Sequence, residues 1–256
     1  MAYKKAKLWF DKDLARLLAE KIEPHYAPFD SVAFIKNVDE GVGDLELKAR
    51  VELIADALRK QLPEDYKKAT AIILKSLGEE NSNETGMFTD FYWVMPFATF
   101  VEKYGLDDLE TSLNAIAEIT KRNTGEFAIR PFLEAYPEKT FGQMLEWSQN
   151  DNFHLRRLAS EGTRPRLPWA KKLDSVIENP SLTLPILEIL KDDPVKFVQK
   201  SVANHLNDIL KDNYDDALAT LQRWAQGATK ERKWIIKHAL RKELKKDNPE
   251  ARVLIS

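Results

Sequence analysis

The chain has 256 residues, of which 31% are charged and 43% hydrophobic, a balance typical of a globular protein with one large domain or two modest ones. No apolar run is long enough to cross a bilayer, so we expect no membrane partner. The sequence contains no cysteine, which excludes disulfides, thiolate catalysis, iron–sulfur clusters and cysteine-ligated zinc. With no uninterrupted apolar segment near the N-terminus either, we expect a cytoplasmic location.

Charge is divided unevenly along the chain. The net charge is −2, but residues 1–153 carry 19 basic and 27 acidic side chains, whereas residues 154–256 carry 20 basic and 14 acidic ones. The first part therefore has a net charge of −8 and the second part +6. A basic part of this size could face a polyanion such as nucleic acid. The alternative, a chance distribution of solvated charge, stays open at this point.

Apolar side chains recur with helical spacing along most of the chain. Leu47, Val51, Ile54 and Leu58, for example, lie three or four residues apart. No sustained alternation with a period of two appears, so we predict an all-α protein, with a surface loop over the polar stretch 79–89. Prolines mark helix starts or gaps between helices at Pro63, Pro137, Pro180 and Pro194. Four tryptophans are predicted to fill the core: Trp9, Trp93, Trp147 and Trp224.

A short pattern recurs in the second half of the chain: an aromatic residue, a basic residue three positions later, and an apolar residue two further on. Copies begin at Phe127, Phe153, Phe197 and Trp234, and these spacings suit helix-pair repeats of the HEAT or armadillo kind. We therefore predict an all-α, HEAT-like (armadillo-type) helical-repeat solenoid that forms a single domain over residues 1–256. Stacked repeats would align four basic residues on a concave surface: Arg130, Arg156, Lys200 and Lys237. Chance recurrence of so short a pattern is the alternative.

The segment 160–169 departs from local sequence preferences. Glu161 lies at a predicted helix C-terminus with Gly162 just beyond it, so its carboxylate faces the negative end of the helix dipole at a cost of about 0.3–1 kcal/mol. Two prolines flank Arg166 and stiffen the loop that also carries Trp169. Such departures are typical of functional or strained sites.

The residue types in this segment suit contact with a nucleic acid. Arginines bind phosphate groups, and an indole stacks on a base or a sugar or attracts a cationic base. A carboxylate such as Glu161 can stabilise positive charge on a sugar and hold a water molecule. From spacing alone an alternative remains, in which Trp169 packs in the core and Glu161 pairs with Arg164.

The sequence SEGTRPRLPW at 160–169 resembles the signature of the AlkC branch of the HEAT-like-repeat alkylpurine DNA glycosylases, which are related to the AlkD branch. Three further segments resemble that family in the same order: EFAIRPF at 126–132, SVANHLND at 201–208 and WIIKHALR at 234–241. The resemblance covers about residues 30–245 and is specific, because a ten-residue block and three other segments match. No sequence is present for the immunoglobulin-like C-terminal domain of some members, so we expect the short form.

The resemblance implies a monofunctional glycosylase that hydrolyses the N-glycosidic bond of cationic alkylated bases, such as N3-methyladenine, in duplex DNA without base flipping. The alkylated base is already a good leaving group, so the protein must mainly stabilise an oxocarbenium-like sugar and guide water to it. By resemblance the catalytic residues are Glu161, Asp208, Trp169 and Glu126. The expected DNA-binding residues are Arg130, Arg156, Arg157, Arg164, Arg166, Lys200, Asn204, His205, Lys237, His238 and Arg241. Double-stranded DNA containing alkylated bases is the expected partner of a monomer that needs no cofactor and no metal.

Other interpretations remain beside this one. Without the resemblance, Asp208 would be a helix-surface acid paired with Lys211 or Lys200. The alternative function is a non-catalytic helical-repeat module that binds DNA or another protein. Intact Glu161, Trp169 and Asp208 favour catalysis, because a scaffold has no need of this cluster. The four histidines are dispersed without an HExxH pair, and no carboxylate cluster suggests a two-metal nuclease.

Overall fold

The computed structural model describes residues 5–255, which form sixteen α-helices and four short 3₁₀ segments, with no β-strand among them. The prediction of an all-α protein is confirmed. None of the helices in this range is both long enough and apolar enough to cross a membrane. The chain divides between Pro131 and Phe132 into two compact units, called unit 1 and unit 2 below. The single domain over residues 1–256 stays a prediction.

Unit 1 contains six complete helices, four of which begin at an aspartate cap. In chain order they are α1 (Lys12–Ile22), α2 (Ser31–Val42), α3 (Leu47–Gln61), α4 (Tyr66–Lys75), α5 (Met95–Tyr104) and α6 (Leu109–Thr120), with 3₁₀ segments at Ala6–Trp9, Glu23–His25 and Tyr92–Val94. Aspartate side chains accept first-turn backbone N–H groups and so start α1, α2, α4 and α6. These caps are Asp11, Asp30, Asp65 and Asp108.

Helix α3 buries the apolar face that its spacing predicts. Val51, Ile54 and Leu58 are buried and face the neighbouring helices α2 and α5. The stretch between α4 and the next 3₁₀ segment has no regular structure, which confirms the predicted loop at 79–89. This loop is tied down by Asn81, whose backbone N–H donates to the carbonyl of the residue that caps α6.

Unit 2 follows the short helix α7 (Arg130–Ala135), which crosses the division between the units. The remaining helices are α8 (Pro137–Trp147), α9 (Phe153–Gly162), α10 (Asp174–Glu178), α11 (Leu184–Leu190), α12 (Lys196–Asp212), α13 (Tyr214–Ala225), α14 (Lys230–Ala239), α15 (Arg241–Lys245) and α16 (Pro249–Ile255), with a 3₁₀ segment at Pro180–Leu182. As predicted, Pro137 and Pro180 begin elements, and Pro63 and Pro194 lie in gaps between helices.

Helix α12 organises unit 2. It packs against α9, α13 and α14 and buries apolar side chains such as Val198, Val202 and Leu206. Three copies of the aromatic–basic pattern lie on α9, α12 and α14, so helices that carry the pattern are neighbours, as predicted. Trp147 and Trp224 fill the core of this unit, as Trp93 does in unit 1, whereas Trp9 is only half-buried.

Candidate functional site

The guanidinium of Arg164 lies between two carboxylates in unit 2. Its Nη1 donates to Glu161 Oε1 at 2.6 Å, and its Nε and Nη2 donate to Asp208 Oδ2 at 2.8 and 2.7 Å. All three side chains are buried. Removing one member of such a group would leave an uncompensated charge in the interior, so the three side chains hold one another in place. Glu161 and Asp208 therefore converge on a single residue.

The end of α9 positions Glu161 and Arg164. The helix ends at Gly162 itself, and Thr163 caps it with φ of −91°, so the prediction that Gly162 lies just beyond the helix is wrong by one residue. Thr163 Oγ1 donates to the Ala159 carbonyl at 2.6 Å and satisfies one acceptor of the last turn. Glu161 does face the negative end of the helix dipole, and the guanidinium of Arg164 compensates it there.

Glu161 is an ionised carboxylate in a buried setting. Its Oε2 accepts a hydrogen bond from Ser201 Oγ at 2.6 Å, and Arg157 Nη2 lies 3.6 Å from its Oε1. Burial raises the pKa of the Glu161 carboxyl, but the charges of Arg157 and Arg164 and the bond from Ser201 outweigh burial and lower this pKa below its ordinary value. Glu161 is therefore negatively charged at neutral pH.

Asp208 is paired on both of its oxygens. Arg164 holds Oδ2, and Lys211 Nζ donates to Oδ1 at 2.6 Å. Two pairings considered as alternatives in the sequence, Glu161 with Arg164 and Asp208 with Lys211, are thus both present. They coexist with the convergence of the two acids and do not replace it. Arg164 and Lys211 therefore neutralise the carboxylates of Glu161 and Asp208 in this structure.

His205 braces the cluster from the interior. It is fully buried one turn before Asp208 on α12, and its Nδ1 lies 2.8 Å from the Ser160 carbonyl oxygen. Burial lowers the pKa of His205 to about 4, so the ring is neutral and Nδ1–H donates to the carbonyl, which can only accept. The sequence placed His205 among the DNA contacts, but with 0% of its surface exposed it supports the backbone beside Glu161 instead.

Trp169 projects from the loop that follows Arg164. Its side chain is 70% exposed, which excludes the alternative that it packs in the core. Its backbone has φ of +63°, a left-handed conformation that bulky residues rarely adopt. The base of the loop is fixed, because Leu173 N–H donates to the Pro165 carbonyl at 3.1 Å and Leu167 is buried.

The predicted DNA-binding cations of unit 2 differ in how they are engaged. Lys200 and Lys237 are exposed. Arg156 Nε donates to Asp193 Oδ2 at 2.6 Å, and Arg166 grips Asp212 with two hydrogen bonds of 2.6 and 2.5 Å. The two lysines are therefore free to meet solvent, whereas the two arginines already hold carboxylates.

Cations and aromatic rings alternate across α9, α12 and α14. The Arg157 guanidinium lies 4.8 Å from the ring centroid of Phe197, and Lys196 Nζ lies 2.9 Å from that of Trp234. Trp234 also stacks on His238, with ring centroids 4.7 Å apart. Burial, followed by nearby cations, lowers the pKa of His238, so this ring too favours its neutral form. A surface of this composition suits a nucleic-acid backbone with its sugars and bases.

Arg241 and Asn204 extend this surface. Arg241 Nη2 donates to Asn204 Oδ1 at 2.9 Å, and Arg241 Nη1 donates to the His238 carbonyl at 2.6 Å. Both side chains are half-buried, as is His238. The two residues predicted to bind DNA here are thus joined to each other.

Glu126 and Arg130 lie in unit 1, where both are buried. Glu126 Oε2 accepts a hydrogen bond from Thr124 Oγ1 at 2.8 Å, within two residues along the chain. That Glu126 and Arg130 lie near Glu161 and Asp208 stays a prediction.

Four residues of the site were not found from the sequence. Ser201 carried a usable signal, because Ser201, His205 and Asp208 lie four and three residues apart and share one helix face. Lys211 entered only as an alternative partner of Asp208. Asp193 and Asp212 had no local signal, since their arginine partners lie 37 and 46 residues away along the chain.

Comparisons with known proteins agree on one family. A family model described as DNA alkylation repair enzyme matches residues 51–242. Protein YhaZ of Bacillus subtilis (strain 168) is 37% identical over 246 residues, which are 96% of this chain and 66% of YhaZ. The structure of Pseudomonas fluorescens alkylpurine DNA glycosylase AlkC, bound to DNA containing an abasic site analog, matches with a TM-score of 0.91 at 34% identity. That match covers 100% of this chain and 69% of AlkC, and it confirms the predicted HEAT-like helical-repeat fold.

Proposed function

Because the chain belongs to the DNA alkylation repair enzyme family, and within it to the AlkC-type branch, we propose that it is a monofunctional DNA glycosylase for cationic alkylated bases in duplex DNA. The observation that carries the proposal is the convergence of Glu161 and Asp208 on Arg164. Burying three charges is expensive, and apolar side chains of similar size would commonly stabilise a fold at least as well. A buried charge cluster therefore favours a functional role.

The cluster of Glu161, Arg164 and Asp208 would act by electrostatic stabilisation. An alkylated base carries a positive charge and leaves readily, so the slow part is the growth of positive charge on the sugar as the N-glycosidic bond breaks. Glu161 and Asp208 would stabilise that charge and orient the attacking water, as carboxylates do in sugar hydrolases. The lowered pKa of Glu161 keeps it ionised for this task at neutral pH. Neighbouring cations neutralise the two acids when no substrate is bound. Some of these ion pairs must therefore break when the substrate binds.

Trp169 would provide the contact with the lesion. An exposed indole can stack on a sugar or base, and its face attracts a cationic alkylated base with about 0.5–2 kcal/mol. Excision without base flipping, with Glu126 beside the site, is part of the proposal through the family resemblance. A monomer located in the cytoplasm belongs to the same proposal.

The DNA backbone would lie against the cation–aromatic surface of α9, α12 and α14. Lys200 and Lys237 are exposed there and would bind phosphate groups directly. Arg166 holds Asp212 at the surface and would exchange this partner for a phosphate, because its guanidinium presents two donors to either anion. Arg156 would join this proposed basic row by exchanging Asp193 for a phosphate.

A second candidate is a DNA-binding module without catalysis. It is favoured by one observation: each carboxylate oxygen of Glu161 and Asp208 already has a hydrogen-bond donor or a cation nearby. Such a module would bind damaged DNA and release nothing from it.

Release of methylated bases from alkylated duplex DNA distinguishes the two candidates. DNA carrying radiolabelled methyl groups is incubated with the protein, and the soluble bases are separated by chromatography. We expect free N3-methyladenine, with strands that break only after alkali treatment of the abasic sites. Binding of the same DNA without release of any base would favour the module and contradict the glycosylase.

A further inference from the structure

A depression of about 340 Å³ lies in unit 2 and is lined in part by Lys211, the ion-pair partner of Asp208. Its other lining residues have no role in the site described above. It lies among the end of α12, the start of α13 and the short helix α15. Its polar lining comprises Asn207, Lys211, Tyr214, Lys242, Glu243 and Lys246. The volume is at the lower end of the range for sites that hold small ligands or ligand groups, about 300–1,000 Å³.

The lining attracts an anion. It contains three lysines against one glutamate, and among the described residues Lys242 makes no ion pair. Lys246 pairs with Glu243 at 2.7 Å but keeps 68% of its side chain exposed, so it can turn to a ligand. The surrounding segment 230–252 carries nine basic and four acidic side chains, a net charge of +5. The depression therefore lies in a positively charged part of unit 2.

The wall of the depression is rigid. The hydroxyl of Tyr214 accepts a hydrogen bond from Asn248 Nδ2 at 2.8 Å and donates to Glu250 Oε2 at 3.1 Å. Asn207 is buried, and its Nδ2 donates to the Ala239 carbonyl at 2.7 Å. Pre-formed walls reduce the ordering that a ligand must impose.

Lys211 connects this depression with the carboxylate cluster. Its Nζ lies 2.6 Å from Asp208 Oδ1, while its side chain is 37% exposed and lines the depression. Asp208 itself is only 3% exposed. The ammonium group therefore stands between a buried carboxylate and an open basic site, and an anion placed in that site would compete with Asp208 for it.

We propose that the depression binds a phosphodiester group of the DNA backbone, and that the bound phosphate draws Lys211 away from Asp208. The proposal rests on the proposed function, because DNA is its ligand. Departure of Lys211 frees Asp208 Oδ1, while Arg164 still holds Oδ2. The cluster of two acids, two arginines and Lys211 then changes from a net charge of +1 to 0, which favours a cationic sugar nearby. DNA binding would thus free the Asp208 carboxylate that base release requires.

Binding of undamaged duplex DNA tests the phosphate site without requiring catalysis. Lys242→Gln removes one charge from the depression, and Lys139→Gln on α8 removes one exposed charge elsewhere in unit 2 as the matched control. Loss of one phosphate contact makes the plot of log Kd against log salt shallower by about 0.9. We therefore expect weaker binding by Lys242→Gln, with its deficit shrinking about threefold between 50 and 200 mM salt. Equal Kd values and slopes for the two variants would overturn the proposal.

Inorganic phosphate separates two sources of the same anion. If the depression serves free phosphate, calorimetric binding of inorganic phosphate is lost in Lys242→Gln while the Kd for duplex DNA stays that of the Lys139→Gln control. That result would overturn the assignment to the DNA backbone. We expect the reverse, an effect on duplex binding that is larger than any effect on inorganic phosphate.

A double-mutant cycle tests the competition for Lys211. Under single-turnover conditions at saturating alkylated DNA, Lys242→Gln should slow base release in the wild-type background but have no effect in Lys211→Met, where no ammonium group holds Asp208. An equal slowing in both backgrounds would overturn the competition. If the wild type releases no base at all, the proposed function fails, and the binding experiment still decides whether the phosphate site exists.

Discussion

Trp169 combines an unfavourable backbone with an exposed side chain. Its φ of +63° is of the kind that costs about 1–3 kcal/mol for a residue other than glycine. Its indole is 70% exposed and recovers little of this free energy through burial. A residue that lowers stability and packs little is expected where function requires it, and here it presents a flat aromatic face to solvent.

Replacing Trp169 by glycine and by alanine separates strain from contact. We expect the unfolding free energy of Trp169→Gly to be about 1 kcal/mol higher than that of Trp169→Ala. Glycine has no Cβ and adopts this φ without a clash, whereas the Cβ of alanine meets the backbone there. This reverses the usual order of the two residues. Both variants should lose base release. Urea unfolding provides the free energies, and an alanine variant as stable as the glycine variant would show that the loop is not strained.

His205 predicts a pH window for stability. Its pKa is about 4 when folded and 6.5 when unfolded, so between these values the unfolded chain binds more protons. Stability is therefore full above pH 6.5 and falls by up to about 3 kcal/mol as the pH drops towards 4. Glu161, whose folded pKa is lowered, adds a loss only below its unfolded value of 4.5.

His205→Asn keeps a donor for the Ser160 carbonyl and removes the titration. The difference in unfolding free energy between wild type and this variant should change steadily between pH 6.5 and 4.5 and be constant above pH 7. A difference that does not vary with pH across that window would contradict the neutral, buried ring.

The convergence of Glu161 and Asp208 was predictable from a family pattern, whereas the pairing of Arg164 with both acids was not. Glu161, Asp208 and Trp169 came from segments that resemble one family. Arg164 was assigned to phosphate, the usual partner of an arginine in a stiff loop, whereas the structure makes it the bridge between two acids. Its partner Asp208 lies 44 residues further along, a distance at which spacing carries no information on contact.

At the scale of elements, α12 supplies most of the buried polar groups of the site. Ser201, His205 and Asp208 lie on the face that packs against α9 and contact Glu161, the Ser160 carbonyl and Arg164 in turn. Each of these three side chains makes at least one hydrogen bond to α9 or to the loop after it, although Nε2 of His205 has no partner among the described residues. The register between α9 and α12 is therefore fixed by hydrogen bonds as well as by packing.

Ser201→Ala tests this register. Loss of the bond from Ser201 Oγ should raise the pKa of Glu161 and lower the unfolding free energy by about 1–3 kcal/mol. Base release should slow about tenfold, and the acid limb of its pH profile should move to higher pH. Ser112→Ala in unit 1 is the matched control, since it also removes a fully buried hydroxyl. A similar loss of stability with unchanged base release in both variants would show that Ser201 has only a structural role.

Helices long enough to show periodicity were predictable, and short ones were not. Leu47, Val51, Ile54 and Leu58 predict α3 because their spacing places them on one face. Helices α10 and α15 have five residues each, too few for a period of 3.6 to repeat, and they are stabilised by packing against their neighbours. The end of α9 was misplaced by one residue because Thr163, and not Gly162, caps it.

At the scale of the whole molecule, the charge asymmetry follows the two units. Unit 1 carries 18 basic and 23 acidic side chains, and unit 2 carries 21 and 18, so their net charges are −5 and +3. The acidic excess of the full chain therefore does not oppose DNA binding by unit 2. Composition along the sequence predicted this asymmetry, although the division lies earlier than residue 153.

DNA binding should depend steeply on salt. If Arg156, Arg166, Lys200 and Lys237 each neutralise one phosphate, log Kd should change with log salt with a slope of about 3.6 and binding should weaken about 150-fold between 50 and 200 mM salt. Fluorescence anisotropy with a labelled undamaged duplex measures this slope. Binding that is insensitive to salt over this range would exclude the basic surface of unit 2 as the binding site.

Single-turnover release of N3-methyladenine by Glu161→Gln tests the central claim, that the buried acids act on the sugar, most directly. The amide keeps the volume of Glu161 and still accepts the hydrogen bond from Ser201, but it carries no charge to stabilise the sugar. We predict release at least about 100-fold slower than wild type at saturating DNA, with a Kd for DNA within about threefold of wild type. Circular dichroism confirms that the variant is folded. Excision at the wild-type rate by folded Glu161→Gln would contradict the account.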